Sequence, residues 1–167
     1  MLKCTHDSGG VVIVRDKSQM DLPAIRRKLE KNLKINYFYS GREWPYKNVR
    51  PRIIAEQYLA ELSGLRDYKF FCFSGEMKLL LVVQGRGTDH VTGNYFDENG
   101  EPVDLISSSF PRDDRSPELP DSFAEMKRIA EILSAGIPHV RVDLYDVNGK
   151  IYFGELTFFD SSGFDRL

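Results

Sequence analysis

Cysteine and histidine are too scarce in this chain to build a disulfide framework or a thiolate metal centre. Cys4 and Cys72 stand far apart, each in an apolar, strand-like run, so both are expected to be reduced core residues. His6, His90 and His139 show no metal-ligand spacing with cysteine, and only His6 sits in a suggestive local setting. No apolar run approaches the roughly 18 residues of a spanning helix. The start, Met1-Leu2-Lys3-Cys4-Thr5, lacks the apolar core of a secretory signal, so a cytoplasmic protein without a membrane span is expected. An excess of charge is missing too. The formal net charge of -2 gives no footprint for nucleic acid or an anionic membrane, and the cluster Arg26-Arg27-Lys28 with Lys31 reads as the solvated side of a helix.

What is present is a chain of 167 residues with 41% hydrophobic content, enough for one real core. Short strands alternate with two main helices, which predicts an α+β fold with a mainly antiparallel central sheet and a small N-terminal hairpin subdomain. The opening strand Met1–Cys4 and the run Val11–Val14 flank the polar loop Thr5-His6-Asp7-Ser8-Gly9-Gly10. Paired glycines let backbone N–H groups approach a phosphate, with Lys3 upstream as a compact cation; the same letters also fit a plain hairpin turn. Asp21-Leu22-Pro23 starts a helix that places Ile25 and Leu29 inward. Residues 35–49, rich in Tyr, Phe and Trp and broken by Gly41 and Pro45, read as a partly helical connector. Pro51–Leu59 reads as a short buried strand ending in acid, with Glu56 able to meet an adenine edge.

Tyr68–Phe73 and Lys78–Val83, joined at Ser74-Gly75, form a strongly apolar hairpin. Lys69 is out of place in it, so it either snorkels at the sheet end or points at an anion. The stretch from Gln84 to Pro120 is rich in loop formers, and Arg86 and His90 within it are candidates to line a substrate site. Ser122 and Glu125 make a capping box for a helix with Phe123, Met126, Ile129, Ala130 and Leu133 inward, ended by Gly136.

The chain is organised around its C-terminal hairpin. Val140, Val142 and Leu144 alternate with Arg141, Asp143 and Tyr145, Asn148-Gly149 supplies the turn, and Ile151, Phe153, Glu155 and Thr157 mark the return strand. Period two groups Arg141 with Asp143 and Glu155 with Thr157, and the turn sets Asp143 close to opposite Glu155. Two carboxylates facing each other across strands repel, which asks for a cation such as magnesium; acids that are merely solvated, one of them neutralised by Arg141, are the alternative.

Taken in order, Lys3 with the His6–Gly10 loop, Glu56-Gln57-Tyr58-Leu59, Tyr68-Lys69, and Arg141-x-Asp143 with Glu155-x-Thr157 resemble the ATP-grasp superfamily, most closely its TupA-like branch of polysaccharide and cell-surface polymer synthesis. The resemblance covers nearly the whole chain. It implies ATP and Mg2+ as cofactors, and an ATP-grasp-like domain over 1–167 with a smaller phosphate-loop lobe at 1–46 and a larger lobe at 47–167 carrying the nucleotide hinge and the metal hairpin. It further implies that Lys3, Ser8, Gly9 and Gly10 contact phosphates, that Glu56, Gln57 and Leu59 hold the adenine, and that Lys69 is a nucleotide-side basic residue. Asp143 and Glu155 become magnesium ligands, and Arg141 the catalytic group that steadies charge during transfer. Thr157 stands where many relatives carry asparagine as a third metal ligand, with a hydroxyl to offer instead.

The expected activity is that of a carboxylate-amine ligase: ATP phosphorylates a carboxylate or sugar-acid acceptor, and an amine or similar nucleophile attacks the acyl phosphate. The alternatives are a non-catalytic nucleotide-binding or glycosyltransferase-associated module, and an unrelated α+β interaction domain. The resemblance begins at the phosphate-loop strand, without the part that usually precedes it in the superfamily, which leads to the expectation of a homo-oligomer or a separate N-terminal partner.

Overall fold

The strongest apolar runs build the largest sheet. In the computed structural model, which describes residues 1–7, 9–59, 64–107 and 109–163, β4 (Asp67–Phe73) and β5 (Glu76–Gln84) form the expected apolar hairpin. Its turn residues Ser74 and Gly75 have φ of 52° and 89°, the left-handed pair that lets a two-residue turn follow the strand twist. With β6 (Thr92–Phe96), β7 (Pro102–Val103), β8 (His139–Val147) and β9 (Lys150–Thr157) they make a six-stranded sheet in the order β7-β6-β5-β4-β8-β9. Every pairing in it is antiparallel, and it carries both Asp143 and Glu155 as expected.

Period two sorts the side chains of this sheet onto two covered faces. Tyr68, Phe70, Leu80, Val82, Val142 and Leu144 pack on one side with Met126 and Ala130 of α3 (Phe123–Ser134). On the other side Leu81, Val83 and Tyr95 form a second apolar cluster with Phe71, Val103, Leu105 and Phe110. Burial on both faces is why β4 and β5 are apolar almost throughout.

Two details of α3 differ from expectation. Ser122 does not cap the helix: its φ and ψ of -76° and -1° are already helical, and its hydroxyl donates to Asp146. Glu125 pairs with Arg128 instead of reaching back, at 2.7 Å. The inward line is Met126, Ala130 and Ser134 at the helical spacing of four, which leaves Leu133 exposed.

The chain divides into two compact units, Met1–Leu59 and Ala60–Leu167. The first has its own three-stranded sheet, order β2-β1-β3, from β1 (Leu2–Cys4), β2 (Val11–Val12) and β3 (Ile53–Ala55). Residues 47–59, expected in the larger lobe, lie in this unit because β3 pairs with β1, Lys3 opposite Ile54. β3 is expected to be buried; among the described residues it pairs with β1 alone, and Ile53 and Ala55 are exposed. The helix α1 (Leu22–Leu33) starts as expected, with the Asp21 carboxylate accepting from Ala24 N at 2.9 Å and Pro23 in the first turn. Leu29 is its buried residue. The connector is partly helical: α2 (Phe38–Gly41) is followed by a 3₁₀ turn at Trp44–Asn48. Cys4 and Cys72 are buried free thiols. Among the described residues no helix is long and apolar enough to cross a membrane.

Candidate active site

A bulge decides which side chains the C-terminal hairpin presents. The Asn148-Gly149 turn, with φ of 55° and 79°, fixes a regular register from Val147 opposite Lys150 to Leu144 opposite Phe153. Continued unchanged, that register would place Gly154 opposite Asp143 and turn Glu155 and Thr157 to the face covered by α3. Instead it shifts by one residue between Asp143 and Leu144. Gly154 is the extra residue, Glu155 stands directly opposite Asp143, and Thr157 stands opposite Arg141. A Cβ at position 154 would lie 2.9 Å from the Asp143 carbonyl oxygen and 2.9 Å from the Tyr145 ring. Only glycine fits there without displacing the strand.

The four side chains that share this face join a buried charge network. Arg141 grips Asp143 with two donors, Nε to Oδ1 at 2.7 Å and Nη2 to Oδ2 at 2.9 Å. The same Nη2 reaches Thr157 Oγ1 at 3.0 Å and Glu155 Oε1 at 3.4 Å, and Nη1 donates to Asp160. Lys69, opposite Asp143 across β4 and β8, donates its ammonium to Asp143 Oδ2 and lies 3.9 Å from Asp67. Asp67 also accepts from Arg86 Nε at 2.5 Å. Asp143 is 2% exposed and Lys69 7%. Lys69 thus points at an anion, and the anion belongs to the protein.

This corrects the picture of an unpaired acidic couple. Asp143 and Glu155 do face each other, but Arg141 and Lys69 already neutralise Asp143, while Glu155 keeps a half-exposed side chain at the rim. Three cations meet four carboxylates, counting Asp67 and Asp160, so the cluster retains one negative charge in excess. Burial works against the Arg141 guanidinium, yet the Asp143 and Asp160 carboxylates outweigh it and hold that group above its ordinary range. Burial, followed by the charges of Asp67, Asp143 and Glu155, pushes the Tyr145 phenol up, so it stays a protonated donor toward Asp67.

The oxygen donors left over are those of Glu155 and Thr157, since both Asp143 oxygens accept from Arg141 or Lys69. Glu155 Oε1 and Thr157 Oγ1 are 3.4 Å apart, on the face that Asp143 shares. Among the described residues no group of three or more His, Cys, Asp or Glu side chains is placed to hold a metal alone. One carboxylate and a hydroxyl are a partial oxygen set that substrate phosphates would have to complete for magnesium, and Asp143 would join it only by releasing Lys69 or Arg141.

In the first unit, Lys3 and Glu56 are brought together. Their side chains form an ion pair at 3.0 Å, and the backbone of Met1 and Glu56 exchanges two hydrogen bonds. Gln57 is exposed and Leu59 half-buried, and among the described residues no side-chain hydrogen bond places either. Gly9 has φ of 104°; Gly10 is buried, and a Cβ there would come within 2.7 Å of the Asp7 carboxylate and the Asn32 amide. Ser8 lies outside the described residues. His6 is a structural tie: its Nε2 faces the carbonyls of Asn32 and Ile35 at 3.2 and 2.9 Å, so it must carry the proton and donate to the C-terminal end of α1. Replacing His6 by alanine is expected to lower stability by about 1–3 kcal/mol through those unpaired carbonyls, read as a lower urea midpoint.

Sequence reasoning missed Asp67, Tyr145 and Asp160 as members of the network. A signal for Asp67 was available, since it precedes Lys69 by two and therefore shares its face. None existed for Asp160, which lies beyond the strand in a turn where Phe159, Ser161 and Ser162 all have positive φ. Arg86 and His90 part company: Arg86 turns to Asp67, while His90 lines a pocket of about 230 Å³ with Arg66, Gln84 and Asp113.

A family model described as TupA-like ATPgrasp matches residues 1–167. No curated protein and no solved structure matches the chain.

Proposed function

The chain belongs to the TupA-like ATP-grasp family, and from that premise we propose that it is an ATP- and magnesium-dependent ligase acting in polysaccharide or cell-surface polymer synthesis. The family places it among ATP-binding proteins of ligase type. The observation that carries the finer reading is the bulged register, which sets Asp143, Glu155, Thr157 and Arg141 on one face.

In this reading a carboxylate oxygen of the acceptor attacks the γ-phosphorus of ATP, the bond to the β-phosphate oxygen breaks, and ADP leaves. An amine or similar nucleophile then attacks the acyl phosphate and expels inorganic phosphate. Lys3 and the backbone of Gly9 and Gly10 hold phosphate oxygens, with Ser8 in the same loop. Glu56, with Gln57 and Leu59, meets the adenine. Asp143, Glu155 and Thr157 would hold magnesium, which when bound neutralises phosphate charge. Arg141, fixed by Asp143 and Asp160, offers a guanidinium already oriented before charge develops on the transferring phosphoryl group. Lys69 holds Asp143 in position, and reaches the nucleotide only by giving up that contact.

Calorimetry with ATP in the presence and absence of magnesium tests binding, and release of ADP in a single turnover tests chemistry. Magnesium-dependent binding with ADP release is expected; binding without release would make the chain a nucleotide-binding module. Lys3→Ala should weaken ATP affinity by roughly 10-fold or more, the loss of one charge-assisted hydrogen bond. Its half-exposed ion pair with Glu56 contributes at most about 1 kcal/mol to folding, so a large loss of binding with little loss of stability separates the two uses of this lysine.

A further inference from the structure

Summed over the chain the charge is -2, and that sum conceals a division. Residues 1–59 hold twelve Lys and Arg against six Asp and Glu, and residues 60–167 hold eleven against nineteen, so the first compact unit stands at +6 and the second at -8. The absence of an electrostatic footprint therefore does not hold unit by unit.

The same basic unit exposes aromatic surface around α2. Tyr39 is 66% and Trp44 59% exposed. They form one cluster through Phe38, whose ring lies 5.5 Å from Tyr39 and 5.8 Å from Trp44, both edge-on. Cations are built into it: Lys47 Nζ sits 4.6 Å from the Trp44 ring and 5.3 Å from Phe38, and Arg42 lies 5.6 Å from Phe38. Arg42 closes α2 with φ of 59°, a conformation that favours glycine, so a long cation occupies this position at some backbone cost. The exposed aliphatic Ile35 follows the end of α1 in the same stretch of chain.

We propose that this surface seats the protein on an anionic lipid bilayer. Trp and Tyr rings settle at the depth of the headgroups, and Lys and Arg beside them meet lipid phosphates. Lipid is favoured over a single-stranded nucleic acid for two reasons. Base stacking needs free ring faces, and Lys47 already covers one face of Trp44. An exposed aliphatic side chain gains from a bilayer interface and nothing from a base stack. The acidic second unit is repelled by such a surface, so attachment runs through the first. This inference does not depend on nucleotide binding.

Trp44 is the only tryptophan in the chain, so its emission reports on this surface directly. With the full-length protein, vesicles of phosphatidylcholine containing phosphatidylglycerol should shift the emission to shorter wavelength and sediment the protein, whereas pure phosphatidylcholine should do neither. High salt should reverse both effects. The double change Arg42→Glu and Lys47→Glu should lower vesicle affinity by at least about 30-fold in sedimentation, with the far-UV circular dichroism of the free protein unchanged. The salt response of the unaltered chain keeps the test valid if that variant fails to fold. No shift and no sedimentation with phosphatidylglycerol vesicles would overturn the proposal. An equal shift with polyglutamate or a single-stranded oligonucleotide would overturn it in favour of an acidic protein or nucleic acid partner.

Discussion

Asp143→Asn lowers the stability of the ligand-free protein by roughly 3–5 kcal/mol, whereas Glu155→Gln changes it by less than about 1 kcal/mol. The asymmetry follows from the contacts. Asp143 is buried and balances two cations, Lys69 and Arg141; an amide in its place leaves a desolvated ammonium whose next carboxylate, Asp67, is 3.9 Å away. Arg141 retains Asp160, which sets the loss toward the lower end of that range. Glu155 is at the rim with one 3.4 Å contact to Arg141, in a setting where water compensates. As an unpaired acidic couple the two residues would give the opposite sign, because neutralising either would relieve repulsion. Nucleotide binding divides differently: both variants should lose magnesium-dependent ATP affinity, since each removes a proposed ligand. Denaturant midpoints with and without Mg·ATP measure both effects. A raised midpoint for Asp143→Asn would refute the internal neutralisation, and unchanged Mg·ATP affinity in both variants would remove the hairpin from the metal site.

How far the letters could be read depended on how local the cause was. The Asn148-Gly149 and Ser74-Gly75 turns, the α1 cap at Asp21 and the antiparallel sheet were legible because each is set by neighbours in sequence. The facing of Asp143 and Glu155 was legible only approximately, since simple alternation from the turn puts Gly154, not Glu155, opposite Asp143. That Arg141 neutralises one of the acids was legible as an alternative, but the full state of the acids was not. It depends on Lys69 and Asp67, more than seventy positions from Asp143 in the case of Lys69, and on the antiparallel pairing of β4 with β8 that brings them across. The capping box at Ser122 failed for a similar reason: Asp146, from β8, competes for its hydroxyl. The charge division was hidden by adding two units into one sum.

Gly154→Val should cost about 2–3 kcal/mol of stability and abolish Mg·ATP binding together, because one residue sets both the packing and the register. Its Cβ would press on the carbonyl oxygen of Asp143 and on the Tyr145 ring, each at 2.9 Å, and the first of these is backbone. The strand must therefore move, carrying Glu155 and Thr157 away from Arg141, with which both are now in contact. Gly149→Ala is the matched control. Gly149 has φ of 79° and nothing within 4 Å of an added Cβ, so alanine there costs about 1–2 kcal/mol of backbone strain while the bulge and the ligand face stay in place. Stability falls in both variants, but binding should fall only in the first. Deleting Gly154 outright is the milder change, since it removes the extra residue and regular pairing from Leu144 opposite Phe153 then keeps Glu155 opposite Asp143 and Thr157 opposite Arg141. Calorimetry with Mg·ATP alongside urea titration distinguishes these cases: a Gly154→Val protein that binds nucleotide normally would show that the bulge has no part in the site.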